Sequence, residues 1–462
     1  MELSDMASKK SKKAAASGQS KPTATVAEPT PAAEARVSTP PAATAPVVSM
    51  RKIGLSLGAD ICWPICFEQI MANLQLSIPW NGERVGIDVE RVTIEPFSLA
   101  QPSRYDVVLD RLTHWYHPSR EWIKKAILMD QLYVLNNPWA VQSMEKHTTY
   151  AAMMHLGMPI PETWLVPPKA YAPLPDLRPT LRNYAQLFDL RAIGSQIGYP
   201  MFIKPYDGGG WKGVSRIASE NDLLQRYEES GTAVMHLQKA IAPYDDFVRC
   251  VGVGPQTRLV RYAPDEPLHN RYTMDADFLP DEEAQILRDT TLTINAFFGW
   301  DFNSCEALRK DGIWHPIDFA NPCPDSQITS LHFHFPWLVI AKLKWSIFCA
   351  VTRRRYRKTL DWDAFYTIAA QQDMPYRDKL RAYAAIAAER FDTTRFNEFC
   401  AKHLAHLDEV AWEFFGSPVA RDAFRKKVAA LYPEHEIELF TQLFWNRVQH
   451  WRANNIPSGK QA

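Results

Sequence analysis

Two lysines, a glycine run and a late set of two acids and an amide are the residues here whose types and spacing could do chemistry. Lys204 stands in the apolar run Phe202-Ile203-Lys204-Pro205, and Gly208, Gly209 and Gly210 follow almost at once. Glycines lack a Cβ, so their backbone N–H groups can close on phosphate oxygens, and a lysine beside them adds a mobile positive charge. A plain hairpin turn is the competing reading of the same glycines. Further on, Glu306 and Asp318 occupy two strand-like runs joined by Lys310-Asp311-Gly312, so both carboxylates can face one point, and Asn321 follows three residues later. Two carboxylates and an amide oxygen form a hard-oxygen set suited to magnesium, which takes its remaining ligands from water and substrate phosphates. Solvated surface acids are the alternative. Between the two groups, Val234-Met235-His236-Leu237-Gln238 reads either as an apolar wall for a flat ring or as a core strand.

These residues need elements to hold them. From Arg51 to about Pro138 strand-like and helix-like stretches alternate, which implies a mostly parallel sheet covered on both faces. Ser119 is a plausible N-cap for a helix through Met129. A helix from about Val141 to Leu156 carries Lys146 and ends at Gly157, with Pro159 and Pro161 beyond. The spacing then predicts a strand at Thr163–Val166, a helix from Leu181 to Ile197, and a hairpin around the glycine run. Strands at Phe247–Val253 and Arg258–Tyr262, a helix over Asp281–Phe298 and the two acid-bearing strands complete this part. From about Trp337 onward apolar residues recur three and four apart, as in helices.

The chain has 462 residues with 52 basic and 52 acidic side chains, a balance that argues against wholesale electrostatic binding to nucleic acid or an anionic membrane. The first 50 residues are rich in Ala, Pro, Ser, Thr and Lys and hold no aromatic, and read as a disordered tail. The most apolar run, Trp337 to Cys349, is broken by Lys342 and Lys344, so no transmembrane helix is expected. Seven scattered cysteines lack paired spacing, which suggests reduced thiols and a cytoplasmic setting. His332 and His334, with His315 nearby, have no partner at zinc-like spacing and read as structural.

The ordered features resemble the ATP-grasp superfamily of carboxylate–amine (or thiol) ligases, of the glutathione synthetase and ribosomal-protein glutamate ligase kind. Glu145-Lys146 and Leu156-Gly157-Met158-Pro159-Ile160-Pro161-Glu162-Thr163 match its opening helix and turn. Tyr199 through Gly210 match its lysine strand and glycine-rich loop. The resemblance covers about Arg51 to Ser330. It implies an α/β fold: an N-terminal open parallel domain (51–140), two α+β grasp subdomains (141–235 and 236–335) and a helical extension (336–462). It further implies that Lys146 and Lys204 hold the ATP phosphates and that Gly208, Gly209 and Gly210 close over them. Gln238 would sit at the adenine hinge and Asp246 on the ribose. Glu306, Asp318 and Asn321 would bind Mg²⁺, or Mn²⁺ in its place. The family commonly shows Glu-x-Asn where this chain has Asp318-Phe319-Ala320-Asn321, one residue longer. Arg271 resembles the arginine that steadies an acyl phosphate, with Arg249, Arg258 and Arg261 as competitors.

The reaction implied is activation of a carboxylate as an acyl phosphate and its capture by an amine, with small molecules as both partners and no membrane or nucleic acid involved. A kinase of the same fold and a non-catalytic nucleotide-binding scaffold are the alternatives. In the first domain Asp60, Glu68, Asp110, Arg111, His114 and His117 are the polar candidates for substrate contact. Arg353-Arg354-Arg355-Tyr356-Arg357-Lys358 is a basic cluster that either docks an anion or forms a solvated face.

Overall fold

The computed structural model describes residues 49–140, 145–207, 212–275, 277–321, 323–357 and 359–460. Three sheets carry the fold. The first has the order β2-β3-β1-β4-β5, built from β1 (Ser49–Ser56), β2 (Ile78–Trp80), β3 (Glu83–Arg91), β4 (Val107–Asp110) and β5 (Tyr133–Leu135). β1 runs parallel to β3 on one side and to β4 on the other, and β5 continues parallel beyond β4. Period-two alternation sorts its side chains. Ile53, Leu55, Val107 and Leu109 share a core with α1 (Cys62–Leu74), whereas Val108 and Val134 meet α2 (His117–Asp130) on the other face. α2 starts at His117 with Pro118 in its first turn and Tyr116 at the cap position, three residues ahead of the expected Ser119 cap.

α3 (Lys146–His155) leads out of this domain, so Lys146 is its first residue. The second sheet, β6-β9-β7-β8, is antiparallel and comprises β6 (Thr163–Val166), β7 (Met201–Pro205), β8 (Ser215–Ile217) and β9 (Met235–Lys239). The boundary expected at 235/236 therefore falls inside β9. The single helix expected over 181–197 is two helices, α4 (Leu177–Tyr184) and α5 (Leu190–Ile197), because the Asp189 side chain accepts from the N–H groups of Arg191 and Ala192 and starts a new helix. With α6 (Glu220–Glu229), α5 closes a core of Ile197, Met201, Ile203, Leu223 and Leu237.

The third sheet, β11-β10-β12-β13, is also antiparallel: β10 (Asp246–Val253), β11 (Gln256–Arg261), β12 (Phe302–Lys310) and β13 (Ile313–Asp318). α7 (Asp281–Phe298) covers one face. The other face joins the large core shared with the first sheet.

The C-terminal part is helical: α8 (Ile328–Leu331), α9 (Phe335–Thr352), α10 (Asp363–Ala369), α11 (Tyr376–Phe391), α12 (Thr393–His403), α13 (Leu407–Phe414), α14 (Pro418–Ala429) and α15 (Ile437–Asn454). α9 is apolar over most of its circumference, as a helix enclosed by protein should be, and only Lys342, Lys344 and Ser346 among the residues before its last break that pattern. The stretch Ile328–Thr352 is long and apolar enough to cross a membrane by length and composition, but 83% of its apolar 18-residue window is buried inside this chain. Each large apolar side chain so buried contributes about 1.5–3 kcal/mol. Gly254, at φ +55°, lies against the Trp345 ring of α9, and a Cβ there would come within 2.4 Å of it. All seven cysteines are free.

Candidate active site

The second and third sheets face each other across a cleft, and side chains from both meet there. On β7, Met201 and Ile203 point into the core, which turns Lys204 to the opposite face. β9 places His236 directly opposite Lys204, and Gln238 two residues on shares that face. The Lys204 ammonium donates to the Tyr150 hydroxyl (2.7 Å), Gln238 Oε1 (2.8 Å) and the Ile317 carbonyl (3.2 Å). Its third contact belongs to β13, so this lysine bridges the two sheets.

That carbonyl is presented by a bulge. Glu306 pairs with Asp318 but Ala307 pairs with Pro316, so Ile317 is an extra residue on β13. A bulged residue leaves the ladder locally unpaired; here the Tyr150 hydroxyl (2.8 Å) and Lys204 take its carbonyl. The bulge turns Asp318 alongside Glu306. Lys146, at the N-terminus of α3, grips both oxygens of Asp318 at 2.8 and 2.9 Å. The Asn321 amide nitrogen donates to Asp318 (3.2 Å) and to the Ser304 carbonyl (3.3 Å), while its N–H donates to Asn303 (3.0 Å). The amide carbonyl oxygen is then the atom left to meet a cation. Lys146, Lys204, Glu306, Asp318 and Asn321 are thus brought together. Gly208, Gly209 and Gly210 lie outside the described residues.

Three expectations change. Arg271 donates to the Glu266 carbonyl (2.9 Å) and reaches the Tyr262 hydroxyl (3.4 Å), away from the acids. Arg249 is the arginine beside the acids: β10 lies in register beside β12, and its guanidinium pairs with Glu306 at 3.2 Å and donates to the Tyr272 hydroxyl. Asp246 does not join the cleft. It is three residues from Arg249 on one strand and therefore faces the other way, with Val248 and Cys250 beneath α7, held by Arg261 (3.2 Å) and Arg309 (3.4 Å). Gln238 is spent on Lys204 and on the Thr163 hydroxyl (2.8 Å), so it positions the lysine rather than standing open to a ring.

Electrostatics follow from burial and neighbours. Burial, with Lys146 adding to it, pushes Lys204 down to about 8, against the opposing pull of Asp318 and Glu306. Burial works to raise Asp318, but Lys146 and Lys204 outweigh it and hold that carboxyl below its usual range. Glu306 is raised by burial and by Asp318, with Arg249 opposing. Lys146, Lys204 and Arg249 against Glu306 and Asp318 leave a surplus of positive charge, so the cleft favours an anion.

Tyr150 and His236 were not singled out from sequence. Tyr150 lies four residues after Lys146, one turn along the same helix face, which is the signal that could have found it. His236 is fully buried against Tyr150 and His147, its ring nitrogens without hydrogen-bond partners, and burial beside Lys204 pushes it down to about 3. It stays neutral and spares the cleft a further cation.

The first domain reaches the same region. Asp60 follows β1 and Arg111 follows β4, on the two sides of the point where strand order diverges, a usual place for ligands in open sheets. They pair at 3.3 Å, and Arg111 donates to the Pro324 carbonyl at 2.7 Å. Burial and Arg111 push His114 down to about 4. Asp110 is occupied by Ser56, Leu112 and Thr113, and Glu68 by Arg91 at the surface. His334 is bound to Thr273 and Arg258, and His315 to Pro159. Among the described residues no three His, Cys, Asp or Glu side chains gather as a metal site, so the only cation-suited set is the acid–acid–amide group.

No protein-family profile matches this sequence, and no curated protein matches it. Among solved structures it is similar to D-alanine–D-alanine ligase from Bacillus anthracis complexed with ATP, at 14% identity over 66% of this chain and 97% of that one, with a TM-score of 0.44. It is similar to a RimK domain ATP-grasp protein from Sphaerobacter thermophilus at 13% identity, covering 63% and 97%, with a TM-score of 0.44. Macrocyclase MdnC from Microcystis aeruginosa, bound with its precursor peptide MdnA, is similar at 13% identity over 66% and 100%, with a TM-score of 0.41.

Proposed function

We propose that this chain is an ATP-grasp ligase that activates a carboxylate as an acyl phosphate and joins it to an amine, releasing ADP and phosphate. One observation carries the reading: two ammonium groups, Lys146 and Lys204, stand within one cleft against Glu306, Asp318 and Asn321 from the facing sheet. Phosphoryl transfer asks for positioning and charge neutralisation rather than a protein nucleophile, and those are what this group supplies. Glu306, Asp318 and the Asn321 carbonyl would hold Mg²⁺, which supplies Lewis-acid neutralisation of phosphate oxygens when bound. Lys146 now neutralises Asp318; with that carboxylate engaged elsewhere, its ammonium is released toward a phosphate. Arg249, beside Glu306, would steady the charge that develops on the acyl phosphate.

The ligase reading is favoured over the kinase reading by proton bookkeeping. A hydroxyl acceptor needs a general base, and a base must be free to take its proton. Asp318 and Glu306 are each held by a cationic partner. A carboxylate attacks phosphorus without losing a proton and needs no such base for the phosphoryl transfer; the proton that the amine gives up in the second step leaves with the departing phosphate. The test is a screen of carboxylates with and without amines, read as ADP release. ADP formed only with both substrates supports the ligase. ADP formed with a hydroxyl compound alone overturns it in favour of the kinase.

A further inference from the structure

A pocket outside the cleft opens where the loop after β5, the end of α7 and the turn after α9 meet. Arg354, Arg355, Arg357 and Arg390 line it together with Asn137 and Asp301. Two of the arginines are committed. Arg354 donates to the Tyr133 hydroxyl (3.0 Å) and the Arg390 carbonyl and lies over the Trp345 ring. It faces buried Asp301, whose Oδ1 accepts from Tyr133 (2.7 Å) and Trp345 (3.0 Å). Arg390 donates to the carbonyls of Ala296 (3.0 Å) and Asp361 (2.7 Å). Arg355 and Arg357, by contrast, are exposed and make no ion pair or hydrogen bond among the described residues.

Two further donors are unmet. Among the described residues, the side-chain nitrogen of Asn137 (5% exposed) and Nε of Arg390 (7% exposed) have no partner. Buried donors are normally satisfied, and those that are not call for an explanation. Two acids, Asp301 and Asp361, stand against four arginines here, so the surplus charge and the unmet donors have the same sign of need. We propose that this pocket is a second, anion-binding site that takes a small phosphate-bearing molecule. Planar guanidinium forks bind phosphate oxygens in pairs, and Arg355 and Arg357 line the pocket as two such forks with no partner of their own among the described residues. A solvated basic face would explain the two exposed arginines but not the buried donors behind them.

The experiment titrates pyrophosphate into the full chain by calorimetry, without divalent cation and with ionic strength held constant by chloride. Three proteins are compared: wild type, Lys204→Ala, and the double variant R355E/R357E, whose exposed substitutions leave the packing untouched. Saturable binding is expected in wild type and Lys204→Ala, and an affinity lower by roughly tenfold or more in R355E/R357E. Absence of saturable binding in wild type, its loss in Lys204→Ala, or unchanged affinity in the double variant would each overturn the proposal.

Discussion

Replacing Lys204 with Met should strengthen the fold and destroy nucleotide binding, two effects of opposite sign from one side chain. Lys204 as a residue is 7% exposed, and burial brings its ammonium from an ordinary 10.5 down to about 8. Lys204 therefore binds its proton less readily folded than unfolded. Below pH 8 the folded state carries the full cost of that buried charge, about 3 kcal/mol. Between pH 8 and 10.5 the folded protein has released the proton while the unfolded chain still holds it, so wild-type stability should rise with pH across that window. Methionine keeps most of the volume and removes the charge. It also leaves Gln238 Oε1 without its donor, a loss of about 1 kcal/mol, whereas the Ile317 carbonyl retains Tyr150. The net expectation at pH 7 is a gain of about 1–2 kcal/mol, read as a higher urea midpoint, and a flat response between pH 8 and 10 where wild type climbs. Calorimetry with Mg·ATP should show affinity falling by about a hundredfold or more in the same variant. A variant that unfolds more readily than wild type at pH 7, or binds ATP unchanged, would refute the argument that this lysine is held at a cost for the sake of a phosphate.

The same lowered Lys204 makes nucleotide binding take up protons. At pH 8.5 the free ammonium is partly deprotonated and phosphate favours its charged form, so the ATP binding enthalpy should vary with buffer ionisation heat, and Lys204→Arg should abolish the variation. Arg249→Ala should lower ATP-dependent turnover by roughly a hundredfold while Arg271→Ala leaves it near wild type, since only the former touches Glu306; steady-state ADP release distinguishes them. Asn136→Ala removes a donor from the Phe302 carbonyl (2.6 Å) and an acceptor from the N–H groups of Asp301 and Phe302 (2.7 and 2.8 Å), and should cost about 3 kcal/mol, seen as a lower urea midpoint.

What could be read from the sequence was whatever local spacing determines. Lys146 on its helix, Lys204 on its strand and the hairpin bearing Glu306 and Asp318 all follow from runs of a few residues. The Asn81-Gly82 turn that folds β2 onto β3 was legible too, since both residues take positive φ as such hairpins require, yet it went unread. Strand parity alone would have turned Asp246 away from the cleft once β10 was extended to include it. The choice of Arg249 over Arg271 was of another kind. It depends on β10 lying in register beside β12 across some 57 intervening residues, and no pattern within either strand sets that pairing. The extra residue in Asp318-Phe319-Ala320-Asn321 is likewise only half a local matter. The bulge at Ile317 and the contacts from Tyr150 and Lys204 to its carbonyl depend on two other elements arriving there.

The partition of apolar cores explains why so polar a junction lies between the sheets. The first and third sheets share a single core with α9, whose Trp345 packs on Gly254 and whose Lys342 ammonium lies 3.8 Å from the Trp63 ring while donating to Ser326 at 3.0 Å. The helical extension thus fills the body that carries Glu306, Asp318 and Arg249. The sheet carrying Lys204 and Gln238 has a core of its own, closed by α5 and α6. Across the cleft Lys204 meets the Ile317 carbonyl and the Tyr150 hydroxyl, and Tyr206 accepts from the Lys146 N–H. Separating two bodies with independent cores exposes little apolar surface, and the polar contacts that break are exchanged for contacts with water at a net cost near 1 kcal/mol each. The proposed function asks the cleft to admit a nucleotide and then exclude water from an acyl phosphate, and such a division suits it, because a shared core across the cleft would resist opening.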